Sequence, residues 1–336
     1  MVYIHVKKIG DQKYYTLRVS VRKGNQIITK DLCNLGSDLS KVNLDTLEKR
    51  YKDKIRKSYR TLKNFLEKNI YLEKVKNSKL KKNPYLTKQQ QLDVEAILYH
   101  YKRKFLKEHK LTRAEVFESF LINFAVNSTS IEGNTITLKQ AYNLFKENIL
   151  PKNKTLREVY DLTNTKKVIE YLKEKKPKID AELIIKIHDM LLENIDMRKG
   201  FRNQDIKILG QPFKPSPARY VRADINTLLD WYNENKGKLH PLILAILFHH
   251  KFENIHPFSD GNGRTGRVLM NHILDLLRCP PIVISNRHRE QYLNAMKDAD
   301  EAIRKGLRDL NPEKYKVLIN FIHSEYKISY WDIFLI

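Results

Sequence analysis

The sequence predicts a mainly α-helical fold: a helical core that contains a β-hairpin flap, preceded by a small antiparallel β module and a basic helical linker. Strict alternation of apolar and polar residues, which is typical of strands, is confined to the N-terminal segment. Beyond it, apolar residues recur at helical spacing. The chain has 336 residues, so one large domain with a smaller appendage is expected.

Residues 1–36 are the predicted β module. Two turn pairs, Gly10-Asp11 and Gly24-Asn25, separate three alternating runs, which are Val2–Val6, Tyr14–Val21 and Gln26–Lys30. A basic sheet with exposed aromatic residues could lie against nucleic acid. A protein-contact or capping module whose positive face is solvated is favoured instead, because no base-reading pattern is visible.

Residues 37–91 are the predicted basic helical linker. The stretch from Lys74 to Lys82 is rich in lysine and ends at Asn83-Pro84, which is typical of a connector. One helix face nevertheless carries apolar residues that could pack on a partner helix: Leu47, Tyr51, Ile55, Tyr59, Leu62 and Leu66. Residues 92–336 then form the predicted catalytic domain.

Composition narrows the function classes. The formal net charge is +24, which suits association with ATP, acidic partners or nucleic acid. Only Cys33 and Cys279 are present, which excludes a disulfide framework and a cysteine zinc site. No signal-like opening and no bilayer-length apolar run is visible, so a cytoplasmic protein without a membrane partner is expected.

The stretch from His256 to Arg267 concentrates the chemistry of the chain. His256 can accept a proton near neutral pH, and Asp260 can hold a hard cation. Gly261 and Gly263 precede helically spaced apolar residues, so they are predicted to lie at a helix N-terminus, which is an anion site. Two guanidiniums three residues apart, on Arg264 and Arg267, add affinity for phosphate. The residues therefore predict phosphate-group transfer from a nucleotide.

Other interpretations of this stretch are weaker. Gly261, Gly263 and Gly266 match the spacing of a dinucleotide-binding turn, but no strand leads directly into the first glycine. A Walker phosphate loop is excluded because no Gly-Lys-Ser/Thr follows. A merely solvated basic turn remains an alternative, since charge clusters usually are solvated faces.

The letters His-Pro-Phe-Ser-Asp-Gly-Asn-Gly-Arg-Thr-Gly-Arg resemble the signature of Fic-domain proteins. That resemblance implies transfer of AMP from ATP, with Mg²⁺, onto a Ser, Thr or Tyr hydroxyl of a target protein or of the enzyme itself. It implies that His256 is the general base, Asp260 the Mg²⁺ ligand and Phe258 a buried anchor. The implied nucleotide-binding residues are Gly261, Asn262, Gly263, Arg264, Arg267 and, on the nucleobase side, Tyr292.

A second stretch, within residues 116–133, ends in Ser128-Thr129-Ser130-Ile131-Glu132-Gly133. Helical periodicity leads into it, and Gly133 is predicted to end the helix. The segment resembles the inhibitory motif of the same family, Ser/Thr-x-x-x-Glu-Gly/Asn, through Ser128, Glu132 and Gly133. That resemblance implies that Glu132 pairs with Arg267 and blocks productive placement of the ATP γ-phosphate.

Between the two motifs, residues 206–210 and the prolines after them favour a β-hairpin. By resemblance this is a flap that docks the target segment by strand addition, formed by Ile206, Lys207, Ile208, Leu209 and Gly210. The last residues of the sequence, 326–336, form an apolar tail, which predicts a buried terminal segment or a homodimer contact.

The sequence thus predicts a protein adenylyltransferase restrained by Glu132. Two alternatives stay open: a hydrolase that removes AMP or a transferase for another nucleotide or phosphate group, and a nucleic-acid-binding or scaffold protein with an idle site.

Overall fold

A computed structural model describes residues 1–10, 12–206, 215–303 and 306–335. It confirms the mainly helical fold with one small antiparallel sheet. The chain divides into two compact units, one built mainly from Met1–Lys81 and Lys88–Phe105 and one from Lys82–Thr87 and Leu106–Phe334. Of the predicted flap, only Ile206 lies within the described residues, and Lys207, Ile208, Leu209 and Gly210 lie outside them.

The first unit contains a three-stranded antiparallel sheet in the order β1-β2-β3. Strand β1 is Val2–Ile9, β2 is Gln12–Lys23 and β3 is Gln26–Gly36. Residue Val2 pairs with Val19, and Lys23 pairs with Gln26, so β2 and β3 continue past the end of β1.

Three helices complete this unit: α1 (Leu44–Ile55), α2 (Tyr59–Val75) and α3 (Lys88–Arg103). The six apolar residues predicted to share one face of α1 and α2 all pack into the clusters that cover the sheet. Because this face is buried against Val2, Leu17 and Tyr15, residues 44–75 are part of a packed unit rather than a free connector. The two compact units thus differ from the predicted domain boundaries at residues 36 and 91, and those boundaries stay a prediction.

The second unit is helical in its described residues, with helices α4 to α12. Their bounds are α4 Lys110–Ile131, α5 Leu138–Glu147, α6 Leu156–Lys175, α7 Ala181–Leu191, α8 Val221–Asn235, α9 Pro241–Ile255, α10 Asn262–Leu276, α11 Arg289–Ala299 and α12 Lys316–Ile333. Helices α9 and α10 lie at its centre, and twelve residues of each are buried. A helix that is apolar on all sides must be surrounded by others, which explains the position of α9.

The apolar C-terminal tail is buried, as one of the two sequence interpretations proposed. Tyr326, Tyr330 and Phe334 are at most 1 % exposed, and Phe334 packs against Phe120 of α4 with ring centroids 6.0 Å apart. The tail therefore closes the helical core. No helix among the described residues is both long and apolar enough to cross a membrane.

Candidate active site

His256 lies at the junction between α9 and α10. Its backbone N–H bonds to Phe252 O at 3.1 Å and ends α9, and its φ of 52° puts it in the left-handed region. That conformation costs a non-glycine residue roughly 1–3 kcal/mol, so the surroundings must hold it. Arg202 does so: its Nε donates to His256 O at 2.8 Å, and its backbone N–H donates to Pro257 O at 2.9 Å.

The imidazole of His256 is suited to take up a proton. Burial lowers its pKa to about 4, so the ring is neutral near pH 7. Its Nδ1 lies 3.2 Å from the carbonyl oxygen of Glu253. Because a carbonyl only accepts hydrogen bonds, Nδ1 must carry the proton and Nε2 must carry the lone pair. Nε2 of His256 can therefore accept a proton.

The loop after His256 is fixed by its own side chains. Phe258 is fully buried and stacks on His188 with centroids 3.7 Å apart. Asn262 closes the loop, since its Nδ2 donates to Phe258 O and its Oδ1 accepts from Phe258 N, both at 2.9 Å. Both polar atoms of the Asn262 side chain are thus bonded within the loop, and the nucleotide contact predicted for this residue would come from its backbone N–H.

Helix α10 begins at this loop, as predicted. Gly261 precedes it with a φ of 77°, a conformation that favours glycine. The N–H groups of the first helical turn, including that of Gly263, have no acceptor within the helix and carry the positive end of its dipole. The start of α10 is therefore an anion site.

Asp260 and Arg264 are held in a chain of alternating charges with helix α6. Arg157 donates from Nη2 to Asp260 Oδ2 at 2.7 Å, and Arg264 Nη2 lies 3.6 Å from Asp260 Oδ1. Arg264 Nη1 also donates to Asp161 Oδ1. Arg157 and Asp161 are one turn apart on α6, and Arg264 lies four residues after Asp260, which precedes α10, so each charge of one pair faces an opposite charge of the other.

Arg267 is the most enclosed cation of the site. Its side chain is 2 % exposed and bonds to the end of α4: Nε donates to Ser128 Oγ at 3.0 Å, and Nη2 donates to Ser128 O at 2.8 Å and to Glu132 Oε1 at 2.7 Å. Desolvation is the largest single effect and would lower the pKa of Arg267, but the attraction and hydrogen bond of Glu132, together with the effects of Tyr292 and Glu253, outweigh it and the pKa is raised. Glu132 and Arg267, which were predicted to pair and are 135 positions apart, are in contact.

The Glu132 carboxylate lies over the first turn of α10. A Cβ placed on Gly263 would be 2.3 Å from Glu132 Oε1 and 2.9 Å from Arg267 Nη1. A negative group thus occupies the space beside the helix N-terminus and the Arg267 guanidinium, which is where a phosphate would bind.

Two further contacts fix the end of α4 that carries Glu132. Arg289 of α11 donates from Nε to Ile131 O at 2.7 Å, which satisfies a carbonyl at the helix C-terminus. The backbone N–H of Asn286 donates to Asn127 Oδ1 at 2.9 Å.

Behind Arg267 lies a buried polar group. Tyr292 is 2 % exposed, and its hydroxyl is 2.6 Å from His249 Nε2. Because its side chain is buried, Tyr292 does not reach the surface in this structure, and its predicted contact with the nucleobase stays a prediction. Burial also raises the pKa of Glu253 to about 8, against the opposing effect of Arg267. His249 is a packed histidine, as its place on an apolar helix indicates.

Several supporting residues could not be assigned from sequence. These residues bond to backbone carbonyls or stack on a ring, and their partners are 54 to 158 positions away in the sequence; they are Arg202, His188 and Arg289. One sequence pattern could have indicated a contact: the spacing of Arg157-x-x-x-Asp161 is the same as that of Asp260-x-x-x-Arg264, with the charges in the opposite order.

No cluster of three or more His, Cys, Asp or Glu able to hold a metal occurs in the part of the chain that the structure describes. Asp260 remains as a single carboxylate whose side chain is 38 % exposed. One carboxylate together with substrate phosphates is a usual environment for Mg²⁺, so this donor set fits the ion.

Comparisons with known proteins agree with this geometry. Residues 178–274 match the model of the Fic/DOC family. A probable protein adenylyltransferase of Aquifex aeolicus is 30% identical over 208 residues, covering 62% of this chain and 59% of the relative. A protein adenylyltransferase Fic of Aedes aegypti is 31% identical over 198 residues, covering 57% of this chain and 39% of the relative. The chain thus spans less than two thirds of the length of these relatives.

Solved structures share the fold. A Fic-domain-containing signaling protein of Bacteroides thetaiotaomicron superposes with a TM-score of 0.65 at 25% identity, over 71% of this chain and 95% of the other. Fic-1 of C. elegans superposes with a TM-score of 0.61 at 20% identity, over 87% of each chain.

Proposed function

We propose, from the match of residues 178–274 to the Fic/DOC family, that this chain is a protein adenylyltransferase. It transfers AMP from ATP to a Ser, Thr or Tyr hydroxyl of a target protein or of itself. The observation that carries the proposal is the neutral imidazole of His256 at the entrance to an anion site formed by the start of α10 and Arg267.

The reaction follows from these positions. His256 Nε2 takes the proton of the acceptor hydroxyl as the hydroxyl oxygen bonds to the α-phosphorus, and the bond from that phosphorus to pyrophosphate breaks. General-base assistance of this kind is worth roughly 10²–10⁴-fold in rate. The N–H groups at the start of α10 and the guanidiniums of Arg264 and Arg267 stabilise the charge that builds up on the phosphates.

Asp260 is the residue that would hold Mg²⁺, which when bound neutralises phosphate charge. In the structure its carboxylate is bonded to Arg157, whose side chain is 61 % exposed. An exposed ion pair contributes only about 0–1 kcal/mol, so Arg157 can be displaced without a large cost.

We further propose that Glu132 inhibits the enzyme in cis. Its carboxylate is bonded to Arg267 and lies beside the first turn of α10. A phosphate at that point would meet a like charge and would lack the Arg267 guanidinium, which Glu132 and Ser128 already hold. Displacement of Glu132 would release both restraints together.

The test is transfer of label from α-labelled ATP to protein, in the presence of Mg²⁺. Wild type, Glu132→Gly and the double variant Glu132→Gly/His256→Ala are compared, with added lysate as a source of targets. We expect strong labelling by Glu132→Gly, weak labelling by wild type and none by the double variant. Equal labelling by all three would contradict the roles of both residues. Absence of label from folded proteins that bind ATP would contradict adenylyl transfer itself.

A further inference from the structure

Strands β2 and β3 form a two-stranded ribbon where they continue past β1. The pairs Val21↔Ile28, Arg22↔Ile27 and Lys23↔Gln26 lie beyond Val19, the last residue of β2 with a partner in β1. Every residue from 21 to 30 is exposed, in contrast to Leu17, which is fully buried against α1 and α2. We call residues 21–30 the basic ribbon; its last residue, Lys30, pairs with Val19 beside the end of β1.

The ribbon carries only positive charges. Its ionisable residues are Arg22, Lys23 and Lys30, and no Asp or Glu occurs between residues 12 and 30. The next carboxylate, that of Asp31, is already paired with Arg18 at 2.5 Å. The surrounding segment has the same sign, since residues 1–81 contain 21 Lys and Arg and eight Asp and Glu.

The turn at the tip is built to present these charges. Gly24 has a φ of 59°, as a tight hairpin turn requires, and Arg22 donates from Nε to Gly24 O at 3.1 Å. Ile27, the cross-strand partner of Arg22, is 73 % exposed on the same face. The tip therefore offers a held guanidinium beside an apolar contact.

We propose that the basic ribbon inserts into the major groove of duplex DNA. Two strands lie about 4.8 Å apart, so the ribbon with its side chains fits a groove about 12 Å wide. The deep, narrow major groove of A-form RNA does not admit it. Arg22, Lys23 and Lys30 bind phosphates, and Ile27 contacts base edges such as the thymine methyl group. A protein partner fits less well, because protein interfaces are depleted in lysine.

The full chain is titrated against a fluorescent DNA duplex of about 20 base pairs and the matching RNA duplex, with binding followed by anisotropy at several salt concentrations. The test variant is the triple Arg22→Gln/Lys23→Gln/Lys30→Gln. Its control is Lys152→Gln/Lys178→Gln/Lys238→Gln, which removes the same charge from exposed positions of the helical unit.

We expect the test triple to lose at least tenfold in DNA affinity, with the slope of log K against log salt reduced by roughly 2–3. The control triple should stay close to wild type. Ile27→Ser, which leaves the net charge unchanged, should also weaken binding to DNA. Equal losses in both triples would overturn the proposal, because binding would then follow net charge alone. Equal affinity for the RNA duplex, or no salt-dependent binding to DNA, would overturn it as well. The labelling reaction is independent of these results.

Discussion

The contact between Glu132 and Arg267 yields a quantitative prediction about ATP binding. Glu132→Gln removes one negative charge from the anion site and keeps the size of the side chain. Glu132→Gly removes both the charge and the bulk beside Gly263. Both variants should bind ATP more tightly than wild type, and the glycine variant most tightly.

The size of the effect follows from the geometry. Glu132 makes one charge-assisted bond of 2.7 Å to Arg267, and bonds of this kind are worth roughly 1.5–3 kcal/mol when buried. The Arg267 side chain is 2 % exposed, but that of Glu132 is 42 % exposed, so solvent screening reduces the value. About 1–2 kcal/mol remains, which corresponds to roughly 5–30-fold in affinity.

The assay is calorimetric titration of wild type and both variants with Mg²⁺-ATP. Glu115→Gln serves as the control, because Glu115 is an exposed residue at the other end of the same helix. If the Glu132 variants bind ATP no more tightly than Glu115→Gln, the carboxylate does not compete with phosphate, and the proposed inhibition is refuted.

Three further predictions concern groups around this site. Burial lowers the pKa of His256 to about 4, so protonation of this residue should not reduce labelling by Glu132→Gly between pH 8 and pH 6. A midpoint near pH 6.5 in the pH profile of the labelling rate would contradict the assignment of His256 as the base. The pKa of Glu253 is raised to about 8, above its unfolded value of about 4.3, so its contribution to stability is complete below about pH 4.3 and is lost as pH rises to 8. Urea unfolding at several pH values should show this loss reduced in Glu253→Gln, at up to about 1.4 kcal/mol per pH unit. Arg289→Gln should loosen the end of α4 and raise labelling severalfold, but should add nothing in the Glu132→Gly background; additive gains there would show that Arg289 acts elsewhere.

Local patterns predicted the parts of the site that are close together in sequence. The start of α10 at Gly261 and the anion site there follow from glycine placement and helical spacing. The pairing of Glu132 with Arg267 came from a resemblance, since periodicity alone cannot bring together residues 135 positions apart. Once the fold joins α4 to α10, the contact has a physical reason: a carboxylate at the end of one helix meets a buried guanidinium.

The sequence could not predict how polar side chains are shared. Asn262 was expected at the phosphate, yet both of its side-chain polar atoms bond to Phe258. Tyr292 was expected beside the nucleobase; its hydroxyl lies against His249 in this structure, and the nucleobase contact stays a prediction. In both cases the side chain satisfies a buried group first, because an unpaired buried donor or acceptor costs about 1–3 kcal/mol.

The glycines of α10 show why the spacing Gly-x-Gly-x-x-Gly occurs here without a dinucleotide fold. A Cβ on Gly263 would meet Glu132 Oε1 at 2.3 Å, and a Cβ on Gly266 would meet Glu253 Oε1 at 2.6 Å and His249 Nδ1 at 2.7 Å. Each glycine therefore makes room for a carboxyl group near Arg267, one partly exposed and one buried.

This difference in burial leads to different expectations for two alanine substitutions. The Glu132 side chain is 42 % exposed and can move away, so Gly263→Ala should cost at most the contact with Arg267, about 1–2 kcal/mol, less a small gain from helix propensity. Glu253 and His249 are enclosed, so Gly266→Ala should cost roughly 1–3 kcal/mol or more by overpacking. Thermal unfolding of the two variants side by side measures the contrast. Equal stabilities would mean that the buried carboxyl group yields as easily as the exposed one, and that Gly266 is not required by packing.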